Sequence, residues 1–232
     1  MYKSKDLVAF EVLEADTDLY ISADSDLGVR AKEFVKKARI AITKYIVKHP
    51  SFETSFIPLQ FDHSSSVIIS DMLKYSARVG IGPMAAVAGA VAEYVGKNLL
   101  KYSKQVIVEN GAGIFIKSRE PRKIIIFAGK SPFSKKIALE VDGADTPLGI
   151  CASSGTAEQT FSFGFADAVV ITARSAALAD AAATAVGNAV KKAEDIEAGL
   201  AIAKKIKGLK GVLIIKDDKM GIWGKIKISG IR

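Results

Sequence analysis

The stretch that decides the fold runs from Leu148 to Val190 and reads LGICASSGTAEQTFSFGFADAVVITARSAALADAAATAVGNAV. Its first apolar run ends at Cys151 and predicts a strand, and the β-rich run from Ala168 to Thr172 predicts a second one. The alanine-rich segment that follows predicts a helix, because alanine has the highest intrinsic helix propensity. We therefore expect the rest of the chain to pack around this strand, turn, strand and helix.

The predicted helix carries two polar residues, Asp180 and Thr184, in an otherwise small and apolar sequence. Residues four apart lie on the same face of a helix, so a carboxylate and a hydroxyl point the same way. This oxygen pair suits a hard cation such as Mg²⁺, which takes one or two protein oxygens and completes its shell with water and phosphate. The alternative is a structural helix with an acid near its start and a threonine bonded to its own backbone. The spacing leaves both interpretations open.

Three glycine-containing segments are candidates for contact with a phosphate-bearing ligand. The turn Ser153, Ser154, Gly155, Thr156 combines hydroxyls with a glycine, which permits a tight backbone and close approach. A helix is predicted from Pro83 to about Leu100, and the amides at its start, near Gly82, form a candidate anion site. The turn Glu109-Asn110-Gly111-Ala112-Gly113 either presents its backbone to a flavin or nucleotide or is a plain hairpin or bulge.

The remaining pattern predicts an α+β fold. Alternating runs predict a hairpin from Val8 to Ala23, further strands between Val106 and Val141, and a terminal hairpin from Val212 to Ile228. Mixed strands and helices without regular alternation favour α+β over a doubly wound parallel sheet. With 232 residues, 49% of them hydrophobic, the chain can bury a sizeable core, and we expect one large domain over residues 1–232.

Composition excludes several classes of function. No segment reaches the roughly 18 uninterrupted apolar residues of a membrane span, and no secretory apolar region follows Met1, so we expect a cytoplasmic protein without a membrane partner. The single Cys151 excludes an internal disulfide and, with two histidines, an ordinary zinc site. We expect Cys151 to be a buried small hydrophobe rather than a nucleophile.

The net charge of +8 is carried mainly by lysines. They are scattered, and no aromatic residues interleave with arginines, so no nucleic-acid partner is expected. The excess charge favours small molecules that carry phosphate. Thin helices of alanine and glycine, together with a terminal hairpin that bears Trp223, suggest a homodimer, and the alternative is that they pack inside a monomer.

Three passages resemble the ApbE-related family, whose members are often labelled thiamine-biosynthesis ApbE-like proteins. The passages are Val79–Ala90, Glu109–Ile114, and Ser153–Thr156 together with Ala179–Asn188. The resemblance covers nearly the whole chain, and the first passage is the most specific. It implies an ApbE-like fold of mixed and antiparallel sheets packed with helices.

The wider relatives that this resemblance implies are FAD:protein FMN transferases, which use Mg²⁺ and FAD to place FMN on a hydroxyl of a target protein. By that resemblance Asp180 and Thr184 match the metal ligands. Asn110, Gly111 and Gly113 match part of the flavin site. Ser153, Ser154, Gly155, Thr156 and Gly82 are the further candidate ligand contacts, from the turn and the helix start described above. Two motifs differ. The Gly-Gly-Asp of the transferases is replaced by Gly111-Ala112-Gly113, and their His-x-x-Asp-Pro element is absent from Gln159 to Gly164.

Two hypotheses follow. In the first, the protein handles FAD, FMN or another nucleotide phosphate with Mg²⁺, as a transferase whose catalytic motif is degenerate. In the second, it is a non-catalytic accessory protein with a protein partner, and the resemblance suggests a role in anaerobic sulfide assimilation and homocysteine formation. A polar network that lines a deep pocket favours the first, and an apolar filling favours the second.

Overall fold

The computed structural model describes residues 6–153 and 165–231 of the chain. Within them the strands are β1 (Val8–Glu14), β2 (Thr17–Ala23), β3 (Val106–Asn110), β4 (Gly113–Lys117), β5 (Arg122–Ile125), β6 (Ile137–Val141), β7 (Leu148–Ser153), β8 (Ala168–Ala173), β9 (Leu209–Lys216), β10 (Lys219–Gly224) and β11 (Lys227–Gly230). The α-helices are α1 (Gly28–Lys48), α2 (Ser51–Thr54), α3 (Val67–Val79), α4 (Val87–Leu99), α5 (Ala176–Asn188) and α6 (Ile196–Lys205). Short 3₁₀ turns lie at Pro83–Ala86, Gly143–Asp145 and Ala193–Asp195.

The strands form two antiparallel sheets. The larger sheet has eight strands in the order β1-β2-β3-β4-β7-β8-β9-β10, and the smaller has three in the order β11-β6-β5. Neighbouring strands pair antiparallel throughout both sheets. Helices and antiparallel sheets in this combination confirm the predicted α+β class.

The middle of the large sheet is covered on both faces, which explains its uninterrupted apolar strands. Every residue of β8 is buried. Val169 and Ile171 belong to the core on the helix side, whereas Ala168 and Val170 belong to the core beneath the small sheet. Successive side chains of a strand point to opposite faces, so a strand covered on both sides needs apolar residues at every position.

Helix α5 occupies the centre of the helical layer. Nine of its thirteen residues are buried: Ala176, Ala177, Leu178, Ala179, Ala181, Ala182, Ala183, Val186 and Gly187. Small side chains let neighbouring backbones come close, and a Cβ atom on Gly149 of β7 would lie only 2.2 Å from the Ala176 nitrogen. The alanine-rich sequence is therefore a packing requirement as well as a helix signal.

The structure contains the helices and strands predicted from the sequence, with two differences. The helix predicted from Pro83 begins with a 3₁₀ turn and becomes α-helical at Val87. The second strand of the terminal hairpin ends at Gly224, and the chain then crosses to pair β11 with β6 in the small sheet. Among the described residues no single helix is long and apolar enough to span a membrane, although Val67–Val79 and Pro83–Leu99, bent by 107°, pass that test as a pair.

Candidate functional site

Asp180 lies in α5 and reaches across to the start of α4. Ser175 caps the start of α5, and its side chain accepts a hydrogen bond from the Leu178 amide at 3.3 Å. One turn further on, Asp180 Oδ2 accepts a hydrogen bond from the Gly89 amide at 2.8 Å. The Ala88 amide also bonds this carboxyl group. Amides in the first turn of a helix have no partner within their own helix, so the Asp180 carboxylate satisfies donors of α4.

The environment of Asp180 favours its protonated form more than water does. Burial raises the pKa of Asp180 to about 6, although hydrogen bonds from Gly89, Cys151 and Ala88 lower it. Part of the residue surface remains accessible to solvent while the carboxyl group itself is desolvated. A carboxyl group with such a pKa changes charge near neutral pH, which is common at functional sites and also occurs in structural networks.

Cys151 contributes a thiol to the same cluster. It is 1% exposed on β7 and pairs with Gly113 of β4. Its Sγ donates to Asp180 Oδ1 at 3.2 Å. Burial, followed by the Asp180 charge, raises the pKa of Cys151 well above its ordinary value. The thiolate is the reactive form, so this thiol is unsuited to nucleophilic attack, and the prediction that Cys151 is buried is confirmed.

Thr184 lies one turn after Asp180 in α5, on the same helical face, and is also partly accessible. The helix and the shared face are as predicted. Over residues 6–153 and 165–231, no group of three or more His, Cys, Asp or Glu side chains is arranged to hold a metal ion. A cation at this face would therefore rest on one carboxylate and one hydroxyl, with water and ligand oxygens around it, and this assignment stays a prediction.

The predicted glycine turn packs against the same helix start. Asn110 donates from Nδ2 to the Ala88 carbonyl oxygen at 3.1 Å. A Cβ atom on Gly113 would lie 2.9 Å from the Gly89 nitrogen, so this position requires glycine. Gly111 is exposed at the tip with a φ of 53°, a conformation that favours glycine. The turn is thus fixed beside Asp180, and flavin contact by Asn110, Gly111 and Gly113 stays a prediction.

Gly82 has a structural explanation of its own. Its amide donates to the Phe56 carbonyl oxygen at 3.0 Å, and a Cβ atom there would lie 1.7 Å from the Ser55 carbonyl oxygen. The Gly82 amide therefore already has a hydrogen-bond partner within the protein. The amides of Ala88 and Gly89 are used by Asp180, so the carboxylate of this chain occupies part of the anion site predicted at this helix start. Ligand contact by Gly82 stays a prediction.

The serine-rich turn begins at the edge of what the structure describes. Ser153 is the last residue of β7 and pairs with Val169 of β8. Ser154, Gly155 and Thr156 lie outside the described residues, and so does the segment in which the His-x-x-Asp-Pro element would stand. β7 carries Cys151 beside Asp180 and ends at Ser153, the first residue of the predicted turn.

Sequence analysis missed Glu93, a second carboxylate in the same pair of helices. Glu93 is 4% exposed in α4. Its Oε2 accepts hydrogen bonds from Ser175 Oγ at 2.7 Å, from the Ala176 amide at 2.7 Å and from the Ala177 amide at 3.3 Å. Its Oε1 lies 2.6 Å from Lys97 Nζ. The signal was available: Glu93 is the one acid in α4, whose other residues are mostly small and apolar, and a buried charge needs partners.

Comparison with known proteins establishes the family. A family model described as AbpE bacteria matches residues 1–220. A UPF0280 protein of Methanococcus aeolicus is 35% identical over 220 residues, which span 93% of this chain and 88% of that protein. A UPF0280 protein of Methanosarcina acetivorans is 34% identical over 214 residues, which span 91% of this chain and 84% of that protein. The chain belongs to this ApbE-related family.

Solved structures support the ApbE-related fold. The flavin transferase ApbE of Vibrio cholerae superposes with a TM-score of 0.62 at 10% identity, covering 94% of this chain and 96% of that one. The flavinyl transferase ApbE of Pseudomonas stutzeri, in its apo form, superposes with a TM-score of 0.56 at 13% identity, covering 94% of each chain. At these identities the likeness establishes the fold of this ApbE-related protein, and the fold alone does not assign a function.

Proposed function

We propose that this ApbE-related protein binds a flavin nucleotide, FAD or FMN, through its phosphates and a Mg²⁺ ion held at Asp180 and Thr184. The observation that carries the proposal is the convergence at Asp180. The Asp180 carboxylate and the glycine turn between β3 and β4 meet at the start of α4, and Cys151 of β7 bonds to the same carboxylate. The flavin transferases that share the fold make a flavin the first ligand to test.

The donor set at Asp180 fits a magnesium ion. An ionised carboxylate has about four lone-pair positions. The Gly89 and Ala88 amides and the Cys151 thiol leave at least one position for a cation. Thr184 adds a neutral oxygen on the same face. Mg²⁺ accepts such oxygen ligands and usually keeps several waters and phosphate oxygens. When bound, it would neutralise phosphate charge.

The residues of this chain explain binding better than they explain group transfer. Asp180 is held in place by α4, and Gly113 allows the β3–β4 turn to approach the backbone of that helix. The sequence from Gln159 to Gly164 contains no histidine to serve as the base of the related transferases. We therefore expect flavin binding with transferase activity that is weak or lost.

A titration tests this proposal. FAD is added to the purified protein with and without Mg²⁺, and binding is followed by flavin fluorescence and calorimetry. Wild-type protein is expected to bind FAD in a Mg²⁺-dependent manner. Asp180→Ala should weaken binding on the order of tenfold or more, because an interaction with a charged group contributes about 1.5–3 kcal/mol.

The control variant is Asp24→Ala. Asp24 also accepts two backbone amides and a serine hydroxyl, but its donors, Ser103, Lys104 and Gln105, lie at the opposite end of β3 from Asn110. Asp24→Ala should keep wild-type affinity. Absence of FAD binding in the wild type, or equal binding by Asp180→Ala, would count against the proposal.

The alternative is an accessory protein without catalysis. The observation that favours it is that the Asp180 carboxyl group already caps α4 and accepts the Cys151 thiol, which gives this residue a structural role. In that case Asp180→Ala lowers stability, and FAD has no measurable affinity for either protein.

A further inference from the structure

Helices α4 and α5 cap each other. Asp180 of α5 accepts the amides of Gly89 and Ala88 in the first turn of α4. Glu93 of α4 accepts the amides of Ala176 and Ala177 in the first turn of α5. Each helix thus supplies the carboxylate that satisfies the unpaired donors of the other. Negative charge near a helix N-terminus also interacts favourably with the helix dipole.

The two caps are linked through both helices. Gly89 and Glu93 are four residues apart in α4, and Ala176 and Asp180 are four residues apart in α5. One helical turn therefore joins the two caps on each side. A Cβ atom on Gly89 would lie 2.1 Å from the Ala176 carbonyl oxygen, so the backbones meet as closely as glycine allows. This close contact gives a displacement at one cap a direct path to the other.

Charge compensation keeps Glu93 in place. Its Oε1 lies 2.6 Å from Lys97 Nζ, one turn further along α4. The nearby acid on α3, Asp71, is half-buried and repelled by Glu93. Ser175 donates a third hydrogen bond to Oε2, at 2.7 Å. Truncation of Glu93 would leave the start of α5 without its acceptor in a buried environment, which is costly.

We propose that Glu93 is a positioning residue for Asp180. Glu93 holds the first turn of α5. This fixes the position of the Asp180 carboxylate against α4 and the orientation of its oxygens relative to the β3–β4 turn. Glu93 itself does not contact the candidate ligand site, and it acts through α5. The functional importance of this role rests on the proposed function, whereas the coupling between the two carboxylates does not.

Hydrogen exchange of the Gly89 amide, which is bonded to Asp180, tests the coupling. Hydrogen exchange and the ¹⁵N–¹H signals of Ala88 and Gly89 are recorded for wild type and for Glu93→Ala. The Gly89 amide bonds to Asp180, not to Glu93, so a purely local cap would leave it unchanged. We expect its exchange to accelerate on the order of tenfold, in line with loss of a helix cap.

Two controls sharpen the result. Glu93→Gln keeps an acceptor oxygen and should restore most of the Gly89 protection. Asp24→Ala removes a carboxylate with a similar set of donors beyond the C-terminal end of α4, at the opposite end of that helix from Gly89, and should leave Gly89 unchanged. Because coupling is reciprocal, Asp180→Ala should accelerate exchange at Ala176 and Ala177.

The outcomes separate clearly. Faster exchange at Ala176 and Ala177 with an unchanged Gly89 in Glu93→Ala would overturn the proposal. If Glu93→Ala does not fold, Asp180→Ala decides: faster exchange at Ala176 and Ala177 supports the coupling, and unchanged exchange at both amides overturns it. None of these measurements uses FAD or Mg²⁺, so a failure of the proposed function remains distinguishable.

Discussion

Substitution of Gly89 by alanine probes the contact on which the helix pair depends. The new Cβ would lie 2.1 Å from the Ala176 carbonyl oxygen, 2.5 Å from its carbon and 2.9 Å from Asp180 Cβ. Two of these atoms belong to the backbone and cannot rotate away. Helix α5 must therefore move outward, and the movement lengthens the 2.8 Å hydrogen bond from the Gly89 amide to Asp180.

The expected loss of stability can be worked from these contacts. Overpacking costs about 1–3 kcal/mol, and a hydrogen bond to a charged group contributes about 1.5–3 kcal/mol. Alanine gains about 1 kcal/mol over glycine in helix propensity. The free energy of unfolding should therefore fall by about 1.5–5 kcal/mol.

Urea unfolding followed by circular dichroism measures this difference. Gly199→Ala in α6 is the matched control, because it brings the same gain in propensity. Its nearest neighbours are side-chain methyl carbons, of Val190 at 2.7 Å, Ile214 at 2.8 Å and Val186 at 3.6 Å. It should cost clearly less than Gly89→Ala. Equal stability of the two variants, or a Gly89→Ala protein as stable as the wild type, would refute the reasoning.

Three other predictions concern charge and packing. Arg122 lowers the pKa of Asp6 from 3.8 to about 2, so this ion pair stabilises the fold above about pH 4 and the contribution is lost as pH falls toward 2. Asp6→Asn should flatten that part of the pH dependence in acid unfolding; an unchanged slope would contradict the assignment. Gly82→Ala would bring Cβ to 1.7 Å from the Ser55 carbonyl oxygen, and urea unfolding should show a loss of about 1–3 kcal/mol; wild-type stability would contradict it. Because the pKa of Asp180 is about 6, protons should compete with Mg²⁺, and Mg²⁺-dependent FAD affinity should weaken below about pH 6 in titrations at stepped pH, while a flat profile would exclude Asp180 as the ligand.

Local patterns predicted the elements that hold the site. The β-rich run before Ala173 became a strand, and the alanine-rich segment became the helix that carries Asp180 and Thr184 on one face. Period and propensity suffice for such elements because they act within a few residues. Burial of Cys151 was also predictable, since no histidine accompanies it in sequence.

The hydrogen-bond partners of these residues could not be predicted from local sequence patterns. Asp180 and Gly89 are 91 positions apart in the chain and meet only because α4 and α5 cross. Glu93 could have been singled out as a lone acid in a thin apolar helix, but its partner Ala176 is set by the same crossing. The terminal hairpin ended early for a similar reason: Gly224 adopts a φ of 76° and the next residue bonds back to Lys210, which sends the chain to the small sheet.

A crystal structure with FAD and Mn²⁺, which replaces Mg²⁺ and scatters anomalously, tests the central claim most directly. The account predicts an anomalous peak within coordination distance of the Asp180 carboxylate and the Thr184 hydroxyl, with flavin phosphate oxygens on the same ion. A peak elsewhere, or FAD bound away from α5 with the Asp180 carboxyl group still bonded only to Gly89, Ala88 and Cys151, would contradict it.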